Sequence, residues 1–123
     1  METTQMNNVS LTAYPDQAGF SIKHLGGYTL SIGVGKNHYC ENSFDGIQGG
    51  ETSTMEVAIM DKKGQFVCLP DDVAGHVPVH HLAQLMVNIA GHNWEQVCFL
   101  CDEEVDKSKF PSKKYTEQWD PSV

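Results

Sequence analysis

Residues 20–34 read FSIKHLGGYTLSIGV and contain two runs of alternating side chains on either side of Gly26-Gly27. The larger side chains recur at every second position: Phe20, Ile22 and His24 in the first run, and Tyr28, Leu30, Ile32 and Val34 in the second. This period of two is typical of strands that bury one face. Two successive glycines can both adopt the positive φ of a tight turn. The stretch therefore predicts a β-hairpin.

Further strands are expected on both sides of this hairpin. An alternating run near the N-terminus predicts a strand that buries Val9, Leu11 and Ala13 on one face. A later pair of runs predicts a second hairpin with strands at Met55–Met60 and Phe66–Leu69. The residues between them, Asp61-Lys62-Lys63-Gly64, suit a turn that ends in a left-handed glycine. Together these runs predict an antiparallel sheet of four to five strands.

One main helix is expected after the strands. Pro78 suits a first helical position, and Gly91 suits the stop. Apolar side chains recur at helical spacing between them: Val79, Leu82, Leu85, Met86 and Ile89. Beyond Asn93 two structures remain open. Asn93 can cap a second helix, or the apolar run 97–100 can form a short buried strand, which we favour because it would complete the sheet.

These elements predict the α+β class, with one main helix packed on the sheet. The 123 residues suit a single domain spanning 1–123, and the polar, proline-containing residues 107–123 suggest a loosely attached tail. The chain shows no secretion signal and no apolar run of membrane-spanning length. We therefore expect a cytoplasmic protein, with no membrane partner and with cysteines present as thiols.

The charge of the chain argues against direct binding of nucleic acid. The net charge is −8, and all eight basic residues are lysine. Arginine is the side chain that most often binds phosphates and guanine edges in a bidentate manner, and it is absent here. An acidic chain instead suits a basic partner, including a protein that itself binds nucleic acid.

Two segments are candidates for a protein interface. Residues 36–54 form a long connection without regular pattern, which is usually functional or mobile, and its aromatic residues Tyr39 and Phe44 could contact a partner. Asp102, Glu103, Glu104 and Asp106 form the densest acidic stretch, which suits contact with a basic surface. We predict these six residues at a protein-binding site. Whether the chain also forms a homodimer through an exposed strand stays open.

A small-ligand site is the alternative. Lys36, His38 and Tyr39 lie in the same long connection and could hold a nucleotide-like molecule. Gly33-Val34-Gly35-Lys36 does not match the phosphate-binding loop, because the glycine spacing differs and no helical pattern follows. A third reading is a zinc site, for which Cys98, Cys101, His80 and His92 are the candidate ligands. The second cysteine pair of a structural zinc site is missing, so we predict no metal and no cofactor.

A longer pattern resembles small accessory proteins of bacteriophages and other mobile elements. It covers roughly residues 28–89 and consists mainly of the strand 28–34 followed by turn and strand signals: Gly35, Asn37, Tyr39, Cys40, Glu56-Val57-Ala58, Asp61, Gly64, Asp71-Asp72-Val73 and Gly75. The resemblance implies a bacterial cytoplasm and a protein that binds and blocks a host enzyme or a defence component, as anti-CRISPR proteins do. The resemblance assigns no catalytic residues to this sequence.

The sequence therefore predicts a non-catalytic binding protein that inhibits a host protein. No arrangement of nucleophile, base and oxyanion donors is specified by the sequence. His80-His81 diverge by about 100° around a helix and do not converge on one ion or substrate. A ligand-capturing protein and a zinc protein remain the two alternatives.

Overall fold

The computed structural model describes residues 8–14, 18–34 and 52–111. They form a five-stranded antiparallel sheet with two α-helices packed on it, which confirms the α+β class. Each strand pairs with its sequence neighbours, so the order across the sheet is β1 to β5. The strands are β1 Ser10–Ala13, β2 Gly19–Leu25, β3 Tyr28–Gly33, β4 Thr54–Met60 and β5 Val73–Pro78. The helices are α1 Leu82–Ala90 and α2 Trp94–Leu100, with 3-10 turns at Val79–His81 and Lys107–Lys109.

The β2–β3 hairpin is present as predicted. Leu25 pairs with Tyr28, which leaves Gly26 and Gly27 as a two-residue turn with φ of 60° and 99°. Positive φ at both positions matches the right-handed twist of the flanking strands. The second turn also has the predicted chemistry: Asp61 Oδ1 accepts hydrogen bonds from two backbone N–H groups, and Gly64 has φ of 79°.

The predicted alternation breaks in β2 because the strand contains a bulge. Ile22 pairs with Leu30 and Leu25 pairs with Tyr28, so Lys23 and His24 together oppose the single residue Thr29. His24 has φ of 68° and is exposed, and its predicted place on the apolar face is therefore wrong. An extra residue of this kind shifts the side chains that follow it to the other face.

The core lies between one face of the sheet and the two helices. Side chains from β2, β3 and β4 meet side chains from α1 and α2, and the most deeply buried are Leu25, Leu30, Val57, Ile59, Leu85, Ile89 and Val97. The opposite face of the central strands carries small and polar residues. Thr12, Ser21, Ser31 and Ala58 are neighbours in register there, and the Tyr14 hydroxyl is hydrogen-bonded to that of Ser31.

The strand at each edge of the sheet differs from the prediction. All four residues of β1 are exposed and Leu11 is 62% exposed, so the expected burial of Leu11 and Ala13 is wrong, whereas Val9, just before the strand, is partly buried against the core. The segment 66–69 contributes only one bridge, from Phe66 to Met60, and not a strand. The fifth strand is instead β5, whose pairing with β4 shifts register at His76, with φ of 55°. The bulge interrupts the alternation that would have identified β5.

The helical region confirms one prediction and corrects two. Pro78 ends β5 and precedes a 3-10 turn, so α1 begins later than predicted, at Leu82, and it is followed by Gly91 as expected. Residues 94–100 form helix α2 and not the favoured strand. Asn93 occupies the N-cap position but makes no side-chain capping bond. The apolar run is part of a helix because Trp94, Val97, Cys98 and Cys101 bury a common face.

The described part of the C-terminal segment, residues 107–111, contacts the domain. The Cys68 N–H donates to the Lys109 carbonyl over 2.8 Å, and Lys109 Nζ lies 2.9 Å from Asp72 Oδ1. Phe110 packs against the core. Within the described ranges, neither α-helix has the length and apolar character needed to cross a membrane.

Candidate binding surfaces

The structure places only part of the predicted interface. Lys36, His38, Tyr39 and Phe44 lie outside the described residues, and their predicted roles stay predictions. The four acidic residues 102, 103, 104 and 106 are described, and all four follow the end of α2.

The end of α2 positions the acidic residues through a specific turn. The Asp102 N–H donates to the Phe99 carbonyl and the Glu103 N–H donates to the Cys98 carbonyl, which is the Schellman pattern. Asp102 occupies the left-handed position with φ of 55°, where glycine is usual. The same acids lie at a helix C-terminus, where the dipole disfavours negative charge. The left-handed conformation of Asp102 and the negative charges at the helix end both lower the stability of the folded protein. Locally unfavourable residues of this kind are expected at functional sites.

Acidic side chains from two distant segments meet beside this turn. Partial burial raises the pKa of Glu103, and the nearby carboxylates of Asp71, Asp102 and Glu104 raise it further. Asp71 precedes β5, so the fold brings it to the end of α2 from about thirty residues away in sequence. We call Asp71, Asp102, Glu103 and Glu104 the acidic surface.

Asp106 has a different role from the other predicted acids. Its Oδ1 accepts hydrogen bonds from the N–H and the hydroxyl of Ser108, over 3.0 and 2.6 Å. These bonds lower the pKa of the Asp106 carboxyl. The side chain therefore caps the 3-10 turn at Lys107–Lys109.

Phe99 is an exposed aromatic residue that the sequence analysis did not select. It lies in the last turn of α2, and 74% of its surface is exposed, although most other apolar residues of this helix are buried. Its own carbonyl accepts the Asp102 N–H, so the backbone of Phe99 lies next to the first residue of the turn that carries the acidic surface. A helical reading of residues 94–100 would have placed Phe99 opposite the buried face, but the strand interpretation concealed it.

The candidate zinc ligands do not come together. Cys98 and Cys101 are buried in the core, His92 Nε2 donates to the Gly26 carbonyl over 2.7 Å, and His80 lies in the 3-10 turn before α1. Across residues 8–14, 18–34 and 52–111, no group of three or more potential ligands could hold one ion. The sulfur atoms of Cys98 and Cys68 are 3.7 Å apart.

The three buried thiols have raised pKa values. Burial is the main cause at Cys68, Cys98 and Cys101, and it raises the pKa of Cys101 to about 12. Cys68 also has φ of 76°, and the Leu69 N–H donates to the Val67 carbonyl across it, which forms a rare type of γ-turn. Protonated, buried thiols are poor nucleophiles, so these residues act as part of the core.

The raised pKa of Cys101 predicts a loss of stability at alkaline pH. The unfolded thiol ionises near pH 9, whereas the native thiol keeps its proton until about pH 12. The unfolded state therefore binds fewer protons in this window, and the free energy of unfolding should fall by about 1.4 kcal/mol per pH unit for this group.

Urea denaturation followed by circular dichroism between pH 9 and 11 measures this slope. Cys101→Ala lowers stability at pH 7 as well, so the change in slope, and not the absolute stability, is the quantity to compare. If Cys101→Ala had the same slope as the parent protein, the raised pKa of Cys101 would not be the cause of the loss of stability.

A pocket of about 570 Å³ lies at the outer face of the β2–β3 hairpin, beside the turn that follows β4. Ser21 and Thr29 line it with hydroxyl groups, and Lys23, His24 and Lys62 line it with basic side chains. Sequence reasoning missed this pocket because successive residues of a regular strand point to opposite faces. Nothing in the alternating pattern signals the bulge at Lys23 and His24.

No protein-family model, no curated protein and no solved structure matches this chain. The function is therefore argued from the chemistry of its own surfaces.

Proposed function

We propose that this chain is a non-catalytic binding protein that engages a basic partner protein through Phe99 and the acidic surface. The observation that carries this proposal is a largely exposed aromatic residue in the last turn of α2, immediately before a cluster of carboxylates from two separate segments. A soluble domain without a partner gains nothing in stability from either feature. An interface gains from both.

Phe99 and the acidic surface have different physical roles in such an interface. An aromatic side chain that becomes buried on binding supplies most of the affinity at typical hot spots. Carboxylates around it attract a basic partner, raise the association rate and exclude acidic competitors. Val105, which is 48% exposed and follows the acidic surface, extends the apolar contact area.

The proposed partner is a basic host protein, including one that binds nucleic acid. This extends the resemblance to phage accessory proteins, which implies a protein that blocks a host enzyme or a defence component. Inhibition would follow if the acidic surface occupies the site at which the partner binds phosphates, because both ligands are anionic. Tyr39 and Phe44 are proposed to add to the same interface.

A tagged pull-down from bacterial lysate tests this proposal when the captured protein is then titrated with purified variants. We expect Phe99→Ala to weaken binding at least tenfold, because a buried aromatic anchor usually contributes more than about 1.4 kcal/mol. The double change Glu103→Gln and Glu104→Gln should slow association and reduce the salt dependence.

Leu11→Ala is the matched control, since Leu11 is 62% exposed on β1, the edge of the sheet farthest from β5. It should leave the affinity unchanged. The proposal fails if the captured protein has no basic surface, or if Phe99→Ala and Leu11→Ala bind the partner equally well.

A further inference from the structure

The bulge in β2 brings two consecutive side chains to one pocket on the face of the sheet opposite the helices. In a regular strand Lys23 and His24 would point to opposite faces. Here both are exposed and both line one pocket, because together they oppose Thr29. His24 has a φ of 68°, which is unfavourable for a residue with a side chain. Bulges and strained residues of this kind recur next to binding sites, where they redirect side chains.

The pocket combines groups that recognise an anion with surfaces that suit a flat apolar body. Lys23 comes from β2 and Lys62 from the turn after β4, and Ser21 of β2 and Thr29 of β3 line the same pocket. Tyr14 and Met60 supply apolar surface to the same pocket. The volume of about 570 Å³ falls in the range of small-molecule sites.

The described lining of the pocket contains more basic than acidic residues, which is the opposite of the balance in the whole chain. The protein carries a net charge of −8, yet this pocket collects two lysines and a histidine. The one acidic residue in the described lining, Asp61, directs Oδ1 to the backbone N–H groups of Lys63 and Gln65, both at 2.9 Å. The carboxylate is therefore engaged in the turn.

We infer that this pocket binds a small phosphate monoester with a planar body, such as a nucleoside monophosphate. Lys23 binds the phosphate by charge, and the hydroxyls of Ser21 and Thr29 donate hydrogen bonds to its oxygens. Tyr14 and Met60 contact the planar body. The site uses none of the residues of the acidic surface.

Isothermal titration calorimetry with AMP, UMP, adenosine and inorganic phosphate tests this inference on the full chain. We expect both monophosphates to bind, and adenosine and phosphate to bind at least tenfold more weakly, because each lacks one half of the contacts. Amide chemical-shift changes on addition of AMP should centre on Ser21, Lys23 and Thr29.

Lys23→Gln should weaken AMP binding about tenfold, since a charged hydrogen bond to phosphate is lost. Lys63→Gln is the matched control: it removes the same charge from the neighbouring turn but does not line the pocket. Both lysines are exposed, so both variants should keep the parent melting temperature. The inference is overturned if no monophosphate binds at millimolar concentration, if both variants lose affinity equally, or if the shift changes map elsewhere.

Discussion

Gly26→Ala is expected to lower the free energy of unfolding by about 2–5 kcal/mol. Gly26 has φ of 60°, and a left-handed conformation costs an alanine about 1–2 kcal/mol. A Cβ atom at this position would also overlap the Ala90 carbonyl oxygen at the end of α1 and lie 3.0 Å from His92 Nε2. Either the hairpin or the helix must shift, and such overpacking costs about 1–3 kcal/mol more. Urea denaturation followed by circular dichroism measures the loss.

Gly64→Ala separates the cost of the left-handed conformation from the cost of the atomic overlap. Gly64 has φ of 79°, but a Cβ atom there would meet no atom within 4 Å, so this variant carries the conformational cost alone. We expect a loss of about 1–2 kcal/mol. Equal losses in the two variants would show that the turn and α1 are not in close contact, contrary to the structure.

Trp94→Ala is expected to cost about 3–5 kcal/mol, the range for removing a large aromatic side chain from a core. Trp94 is 7% exposed at the start of α2. Its ring meets the Tyr28 ring edge to face at a centroid distance of 4.8 Å and stacks on His92 at 5.8 Å. The substitution thus leaves a cavity and removes favourable ring contacts.

Two variants of α2 serve as controls for this loss. Trp94→Phe keeps a ring against Tyr28 and should recover a large part of the stability. Phe99→Ala removes an aromatic ring that is 74% exposed and should change stability by no more than about 0.5 kcal/mol. A loss at Phe99 as large as the loss at Trp94 would contradict the burial pattern of the helix. It would also mean that Phe99→Ala is unsuitable for testing partner binding.

The elements that the sequence predicts well are those specified by local chemistry. The β2–β3 hairpin follows from Gly26-Gly27 because few other residues adopt positive φ at two successive positions. The turn after β4 likewise follows from Asp61 and Gly64, whose backbone contacts are local. The helix that ends before Gly91 has a long periodic pattern, and its period excludes a strand.

The remaining elements depend on contacts that lie far apart in sequence. The bulges at His24 and His76 are invisible to a period of two, because each inserts one residue that the partner strand must accommodate. Residues 97–100 are too short for their apolar pattern to distinguish a helix from a strand. The Cys68–Cys98 contact and the proximity of Asp71 to Glu103 each join segments about thirty residues apart. Both candidate binding surfaces therefore belong to tertiary structure.

The strand order from β1 to β5 also has a consequence for the way the chain folds. Every pairing joins consecutive strands, so the sheet can grow by one strand at a time. Two residues separate β2 from β3, whereas twenty residues, 34–53, separate β3 from β4. Closing the longer connection costs about 2 kcal/mol more in chain entropy if it scales with the logarithm of length. The β2–β3 hairpin, which carries the bulge and part of the pocket, is thus the favoured nucleus, and β4 joins it against a higher entropic barrier.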